Sequence, residues 1–120
     1  MIFVIDDDEV VRDSLKVLLE TRDFIVRDFA SCREFLHHKD GVHAGCLILD
    51  IHMPDMTGID LLRLLREKGD AIPVILITGR RDATIRAQAE ALGAVAFLDK
   101  PVAFPQLFAA IQQAVASSQA

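Results

Sequence analysis

The sequence predicts a single α/β domain, spanning residues 1–120, in which five strands alternate with five helices. Its 120 residues match the commonest domain size, and a hydrophobic content of 52% supports a well-buried core. The strand-like segments are continuous apolar runs, as expected for strands that are buried on both faces. Such runs, alternating with helical patterns, favour a doubly wound (βα)5 arrangement with helices covering both sides of a parallel sheet.

The first strand and helix are indicated by a change of period near the amino terminus. Ile2–Ile5 is a run of β-branched and aromatic residues, and the acidic segment Asp6–Glu9 ends it. From Val10 onward, apolar residues recur at helical spacing, which predicts the first helix. They are Val11, Leu15, Leu18 and Leu19. The next apolar run, Phe24–Phe29, is predicted as the second strand.

The second helix and third strand lie on either side of a polar segment. Ser31 and Glu34 have the spacing of a capping box, which predicts a short helix running through Phe35 and Leu36. Residues 37–45 are rich in His, Lys, Asp and Gly and are expected to form a surface connection. The apolar run Cys46–Asp50 then predicts a buried strand that ends on a carboxylate.

The third helix and fourth strand follow from turn and capping residues. Thr57 and Asp60 again have capping-box spacing, and Gly69 is expected to end the helix that they begin. Pro73–Ile77 is predicted as the fourth buried strand, followed by Thr78 and a glycine.

The last three elements are predicted in the same way. Asp82 is expected to cap a fourth helix that Gly93 ends. Val95–Leu98 is the fifth strand, and Pro105 suits the first turn of a final helix. The small and polar residues 117–120 are expected to be the start of a linker.

Four of the five strand ends carry side chains with chemical functions. The first ends on Asp6 and Asp7, the third on Asp50, the fourth on Thr78 and the fifth on Lys100. Parallel strands joined by right-handed crossovers place these ends at one edge of the sheet, where open α/β sheets bind ligands. The side chains of the first and third strands should converge there, because the first strand is central in such sheets.

Clustered carboxylates need a cation, because like charges about 4 Å apart cost on the order of 4 kcal/mol at an effective dielectric near 20. Mg²⁺ suits an oxygen-rich site that keeps open positions for water and phosphate oxygens. With Lys100 as a second cation and the Thr78 hydroxyl as a donor, the site is a receptor for a phosphoryl group. Asp50 is then the predicted nucleophile, and an aspartyl phosphate is the expected product.

Four motifs give the chain a resemblance to the receiver domain of two-component response regulators. They are Val4-Ile5-Asp6-Asp7-Asp8, the segment from Leu49 to Gly58 with its Asp50-Ile51-His52-Met53-Pro54 core, Ile77-Thr78-Gly79, and Phe97-Leu98-Asp99-Lys100-Pro101. They occur in order and span essentially the whole chain. The resemblance implies a flavodoxin-like fold with strand order 2-1-3-4-5 and a cis peptide at Lys100-Pro101.

The resemblance also implies roles for particular residues. Asp50 would accept a phosphoryl group from a histidine kinase, with Lys100 pairing with the phosphoryl oxygens. Mg²⁺, or Mn²⁺ as a substitute, would be bound by Asp7, Asp50 and the main-chain carbonyl of His52, with Asp6 acting through a water molecule.

Further implied roles concern the response to phosphorylation. Thr78 and Phe97 match switch positions that move inward, so that the face formed by helix 4, strand 5 and helix 5 changes. His52 and Arg80 match positions that tune the lifetime of the phosphorylated state.

The amino-acid sequences of these motifs are most similar to those of the FixJ type of regulator. In that type, the receiver is followed by a LuxR-type helix-turn-helix domain that binds DNA. Val10 and Val102 depart from that type, which often has proline and phenylalanine at these positions. The implied partners are therefore a histidine kinase and a transcriptional output domain, and the sequence leaves open whether phosphorylation also drives formation of a homodimer.

The alternatives differ in what they require near Asp50. A Mg²⁺-dependent phosphatase with an aspartyl-phosphate intermediate needs an acid/base carboxylate two residues after the nucleophile, where this chain has His52. A flavin- or nucleotide-binding module needs a Gly- or Ser/Thr-rich anion loop after the first strand, where this chain has acids. The protein is therefore expected to be a switch and not a turnover enzyme.

The bulk composition sets further expectations. The net charge of −5 argues against direct nucleic-acid binding, and no apolar run is long enough to span a membrane. Cys32 and Cys46 are expected to be reduced and buried, as in a cytoplasmic protein. The loosely spaced histidines His37, His38 and His43 are expected to be solvent-exposed and not a metal site.

Overall fold

The computed structural model describes residues 1–38 and 45–118, with only the backbone at 117 and 118. Five strands and five helices alternate along it. The strands are β1 Ile2–Ile5, β2 Val26–Phe29, β3 Cys46–Asp50, β4 Val74–Thr78 and β5 Ala96–Asp99. The helices are α1 Glu9–Glu20, α2 Cys32–His38, α3 Gly58–Glu67, α4 Ala83–Ala91 and α5 Phe104–Ser118.

The strands form one parallel sheet in the order β2-β1-β3-β4-β5, which confirms the expected topology. β1 and β3 are neighbours, with Ile5 opposite Leu49, and Asp50 lies opposite Ile77 on β4. All carboxyl ends therefore lie at the same edge of the sheet. The Lys100-Pro101 peptide is cis, as the family resemblance implied.

The sheet separates two hydrophobic clusters, one on each face. One cluster is filled mainly by side chains of α2 and α3, including Phe35, Leu61 and Leu62. The other is filled by α1 and α5, including Leu19 and Ile111. Strands β3 and β4 are buried at every position, because helices cover both faces of the central sheet.

The capping contacts confirm the helix starts predicted at Thr57 and Asp82, and they show a further cap at Asp8 that was not predicted. Asp8 caps α1 and Asp82 caps α4, each by accepting hydrogen bonds from two main-chain N–H groups. Thr57 and Asp60 form the complete capping box that their spacing predicted for α3.

Several predicted boundaries differ from the observed ones. Strands β4 and β5 each begin and end one residue later than predicted, at Val74–Thr78 and Ala96–Asp99. Strand β2 begins at Val26, not at Phe24, and α2 continues to His38. The predicted capping box of α2 is only half formed, because Ser31 accepts from the Glu34 N–H while the Glu34 carboxylate accepts from Ala30.

Two further expectations fall partly outside the described residues. Helix α5 extends to Ser118, and the rest of the predicted linker, residues 119 and 120, lies outside the described part. His43 and most of the predicted surface connection also lie outside it. Within residues 1–38 and 45–118, no helix has the length and apolar character needed to cross a membrane.

Candidate phosphoryl-transfer site

The side chains predicted at the strand ends meet at the carboxyl edge of the sheet. Asp50 is the last residue of β3, Thr78 is the last residue of β4, and Asp6 directly follows β1. All three are buried, with 1% exposure for Asp6, 4% for Asp50 and 1% for Thr78. They are the buried polar side chains of the described core, and their burial in an otherwise apolar interior marks a site.

Lys100, which directly follows the edge strand β5, connects two of these carboxylates. Its Nζ lies 3.1 Å from Asp6 Oδ2 and 3.4 Å from Asp50 Oδ2. The Lys100 side chain is 25% exposed, so its ammonium group lies between the buried acids and solvent. The predicted convergence of the first, third and fifth strand ends is thereby found in the structure.

Burial and mutual repulsion control the protonation of these groups. Burial, together with the negative charge of Asp6, raises the pKa of Asp50, while Lys100 and the main-chain N–H of His52 offset part of that shift. Burial alone would lower the pKa of Lys100, but its hydrogen bond to Asp6 and the charge of Asp50 outweigh burial and raise it. An additional positive charge beside Asp50 would therefore stabilise its ionised form.

Asp6, Asp7 and Asp50 form an acidic cluster that could bind a metal ion. One carboxylate oxygen from each residue lies within 4.8 Å of the other two. Asp6 and Asp50 are buried, whereas Asp7 is exposed, so the cluster opens to solvent on one side. Carboxylate oxygens with open positions for water are the donor set that hard divalent cations prefer, so these residues fit a divalent cation.

The Thr78 hydroxyl is fully engaged with the loop that follows β4. It donates a 2.7 Å hydrogen bond to the Arg80 carbonyl and accepts a 3.0 Å hydrogen bond from the Arg80 N–H. The hydroxyl would have to give up its bond to the Arg80 carbonyl before it could donate to a ligand beside Asp50.

Phe97 lies on β5, next to β4, and is partly buried against the α2–α3 cluster. The guanidinium carbon of Arg86 lies 5.8 Å from the centre of its ring. Phe97, Arg86 and Asp99 line a cavity of about 320 Å³ between α4 and β5. The aromatic side chain therefore has open space on its outer side.

The remaining predicted residues lie at the rim. The side chains of His52 and Arg80 are exposed, and the His52 main chain contacts Asp50 through the N–H group described above. Asp55 is exposed and has a φ of +66°, as suits the turn residue that it was expected to be.

The backbone at Asp50 is held by a glycine. Gly58, the first residue of α3, donates a hydrogen bond to the Ile51 carbonyl at 3.0 Å. A Cβ atom at Gly58 would lie 2.5 Å from the Asp50 carbonyl oxygen and 2.9 Å from the Ile51 Cα. Only glycine allows α3 to begin this close to the end of β3.

Sequence reasoning missed two residues that support the site. The sequence patterns assigned no role to Asp28 at the end of the second strand or to Arg12 on the first helix. In the structure, Arg12 Nε lies 3.0 Å from Asp28 Oδ2 and Arg12 Nη1 lies 2.7 Å from the Asp6 carbonyl oxygen. No motif would have revealed this pair, because the two residues meet only where α1 packs against β2.

The two cysteines are free and buried, as expected from the composition. Burial raises the pKa of both thiols to about 12, and the charges of Asp60 and Asp50 add to the shift at Cys32. Both are therefore neutral thiols and not reactive groups.

Comparison with known proteins gives the same family throughout. Residues 2–112 match the response regulator receiver domain family. The chain is 37% identical over 118 residues to the transcriptional regulatory protein FixJ of Bradyrhizobium diazoefficiens, covering 98% of this chain and 58% of the relative. It is 38% identical to the response regulator protein TodT of Pseudomonas putida, covering 96% of this chain and 51% of that protein. The chain therefore spans about half the length of these curated relatives.

Solved structures agree with this assignment. The response regulator StyR superposes with a TM-score of 0.92 at 38% identity, covering 98% of this chain and 60% of that one. The amino-terminal domain of FixJ superposes with a TM-score of 0.88 at 37% identity, covering 96% and 92% of the two chains. The chain belongs to the response regulator receiver domain family of two-component signalling systems.

Proposed function

We propose that this domain is a phosphorylation-dependent switch in which Asp50 accepts a phosphoryl group. The observation that carries the proposal is the position of Lys100, whose Nζ lies beside both Asp6 and Asp50 at the mouth of an acidic cluster. A nucleophilic carboxylate, a cation site and a second positive charge are thus brought together from three strand ends. Together they satisfy the needs of phosphoryl transfer, which depends mainly on positioning and charge neutralisation.

The proposed donor is the phosphohistidine of a histidine kinase. An oxygen of the Asp50 carboxylate attacks phosphorus, the P–N bond to the donor breaks, and the imidazole leaves with the bonding electron pair and takes up a proton. The new P–O bond makes Asp50 an aspartyl phosphate. Lys100, already 3.4 Å from Asp50 Oδ2, neutralises negative charge on the transferred group.

We assign the acidic cluster to Mg²⁺, with Mn²⁺ as a substitute. Asp7, Asp50 and the main-chain carbonyl of His52 would hold the ion, and Asp6 would contact it through water. When bound, the ion supplies positive charge that stabilises the phosphoryl oxygens during transfer. The buried Asp6 and Asp50 carboxylates, which repel each other in its absence, keep the site selective for a cation.

The response to phosphorylation is assigned to Thr78 and Phe97. The Thr78 hydroxyl exchanges its bond to the Arg80 carbonyl for one to a phosphoryl oxygen, and the loop after β4 moves with it. Phe97 then turns inward from the cavity between α4 and β5. The result is a population shift that alters the face formed by α4, β5 and α5.

Two exposed residues are assigned to the lifetime of the phosphorylated state. His52 follows Asp50 by two positions and Arg80 follows Thr78 by two, and both side chains are exposed, so they are placed to act on water that approaches the phosphoryl group. Their side chains would set the rate of hydrolysis and not the rate of transfer.

The altered face is proposed to control a transcriptional output domain. FixJ of Bradyrhizobium diazoefficiens is named as a transcriptional regulatory protein and is longer than this chain, which covers 58% of it. We propose that a helix-turn-helix domain plays this part, that phosphorylation favours a homodimer, and that the receiver domain itself does not bind DNA. A cytoplasmic location suits these partners.

The proposal is tested by intact-mass spectrometry after incubation with acetyl phosphate and Mg²⁺. One phosphoryl adduct, stable in acid and labile in base, is expected for the wild-type protein and for Asp55→Asn, which alters an exposed aspartate of the same loop. Asp50→Asn should give no adduct. An adduct that survives Asp50→Asn, or continuous release of phosphate from small esters, would contradict the switch and would favour a phosphatase in the second case.

A further inference from the structure

The main chain of Asp6, the first residue of the loop that follows β1, is anchored at both its N–H and its carbonyl group. The Asp6 N–H donates a 3.2 Å hydrogen bond to the Phe29 carbonyl at the end of β2. The Asp6 carbonyl accepts a 2.7 Å hydrogen bond from Arg12 Nη1. The same guanidinium group donates through Nε to Asp28 Oδ2 at 3.0 Å. Arg12 thus ties the loop to both α1 and β2.

The geometry of this contact suits Arg and no other residue type. A guanidinium group presents several N–H donors in a fixed plane, so one side chain can hold a carboxylate and a carbonyl at once. A lysine at position 12 would offer a single nitrogen on a flexible stem. Arg12 is 15% exposed and Asp28 is 24% exposed, so the contact is shielded from solvent on most sides.

The consequence for the acidic cluster follows from the planarity of the peptide bond. The Asp6 carbonyl and the Asp7 N–H belong to one rigid unit, so fixing the carbonyl also fixes where the Asp7 main chain and side chain begin. Asp7 is the exposed member of the cluster, and burial does not hold it in place. Its orientation therefore depends on the backbone that precedes it.

We propose that Arg12, oriented by Asp28, is a positioning residue that aligns Asp7 with Asp6 and Asp50 for cation binding. This inference rests on the proposed metal site. Arg12 touches neither the cation nor the phosphoryl group and acts only through the Asp6–Asp7 peptide. Partners that orient metal ligands in this way typically change metal affinity by about 10–100-fold when they are removed.

Charge and positioning predict opposite results for the same substitution. Arg12→Met removes a positive charge near a cation site, so electrostatics alone would make Mg²⁺ bind more tightly. Loss of positioning would instead weaken binding by about tenfold. Arg12→Lys keeps the charge and loses the two-point contact, so positioning predicts weaker binding for it as well.

Lys16 provides the matched control. It lies on the same helix as Arg12, and its Nζ contacts the other oxygen of the same carboxylate, Asp28 Oδ1, at 3.3 Å. Lys16→Met removes one charge and one contact to Asp28 but leaves the Arg12–Asp6 hydrogen bond in place. It should lower thermal stability slightly and leave Mg²⁺ affinity within about twofold of the wild type.

The experiment is a calorimetric Mg²⁺ titration of the four proteins, with thermal unfolding measured in parallel. Dissociation constants about tenfold higher for Arg12→Met and Arg12→Lys, with Lys16→Met unchanged, are expected. Equal or tighter binding by folded Arg12→Met would overturn the positioning role. Arg12→Lys keeps the test decisive if the methionine variant does not fold. A wild-type protein that binds no Mg²⁺ would overturn the proposed metal site itself, which is a separate result.

Discussion

Adding one methyl group at Gly58 should destabilise the domain, although glycine-to-alanine changes at helical positions normally stabilise. Gly58 is the first residue of α3, where Ala is favoured over Gly by about 0.4–1 kcal/mol through helix propensity and unfolded-chain entropy. The new Cβ would lie 2.5 Å from the Asp50 carbonyl oxygen and 2.9 Å from the Ile51 Cα. Both are backbone atoms of a strand end that is buried in the sheet, so neither can rotate away.

The magnitude follows from the size of the overlap. The contact to the Asp50 carbonyl must open by about 0.5 Å to reach 3.0 Å, and overpacking of this kind costs about 1–3 kcal/mol. For a domain of this size, an unfolding entropy of about 0.25 kcal/mol/K converts that cost into a melting temperature about 4–12 °C lower. Because the shift acts on the main chain of Asp50, Mg²⁺ affinity should fall with stability.

Thermal unfolding followed by circular dichroism measures the effect, and Gly79→Ala is the control. Gly79 follows β4 at the same edge of the sheet, and a Cβ there would meet no described heavy atom within 4 Å. Gly79→Ala should change the melting temperature by no more than about 2 °C, because surface substitutions usually stay within about 0.5 kcal/mol. A Gly58→Ala protein as stable as the wild type, or more stable, would refute the close packing of α3 on β3.

Three further predictions concern charge. Because the pKa of Asp50 is higher in the folded protein than its unfolded-state value of about 3.9, ionisation of Asp50 lowers the free energy of unfolding as pH rises above that value. Without metal at pH 7, Asp50→Asn should therefore have a higher melting temperature than the wild type. The two melting temperatures should converge in acid. Mg²⁺ at about 100 times its dissociation constant should stabilise the wild type by about 2.7 kcal/mol in the same assay but leave Asp50→Asn unchanged. Lys100→Met should cost about 1–3 kcal/mol in chelator, because the buried Asp6 and Asp50 lose their shared cation, and Mg²⁺ should restore part of the loss.

The topology could be predicted because each strand and helix is indicated by residues close together in the sequence. Apolar runs, capping residues and stop glycines each act over a few residues, and Thr57 with Asp60 forms the capping box that their spacing indicated. Boundaries were less certain where two signals compete. Phe24 and Ile25 have the composition of a strand, yet β2 begins at Val26, because pairing with β1 starts only where Ile2 lies opposite Val26.

The candidate site could be predicted where its residues lie at the ends of predicted strands. Asp6, Asp50, Thr78 and Lys100 each end or follow a strand, and a parallel sheet brings such positions together. The role of Gly58 depends on a distance between α3 and β3 that no local pattern encodes. The contact of Arg12 with Asp28 and the Asp6 carbonyl likewise exists only in the folded sheet.

The central claim, that Asp50 is the phosphoacceptor, is tested most directly by chemical mapping. Protein phosphorylated by acetyl phosphate and Mg²⁺ is reduced with borohydride, which converts an aspartyl phosphate into homoserine, and the digested peptides are sequenced by tandem mass spectrometry. Homoserine is expected at position 50, and unmodified aspartate at positions 6, 7 and 55. Homoserine at any of those three positions, with aspartate intact at position 50, would contradict the claim.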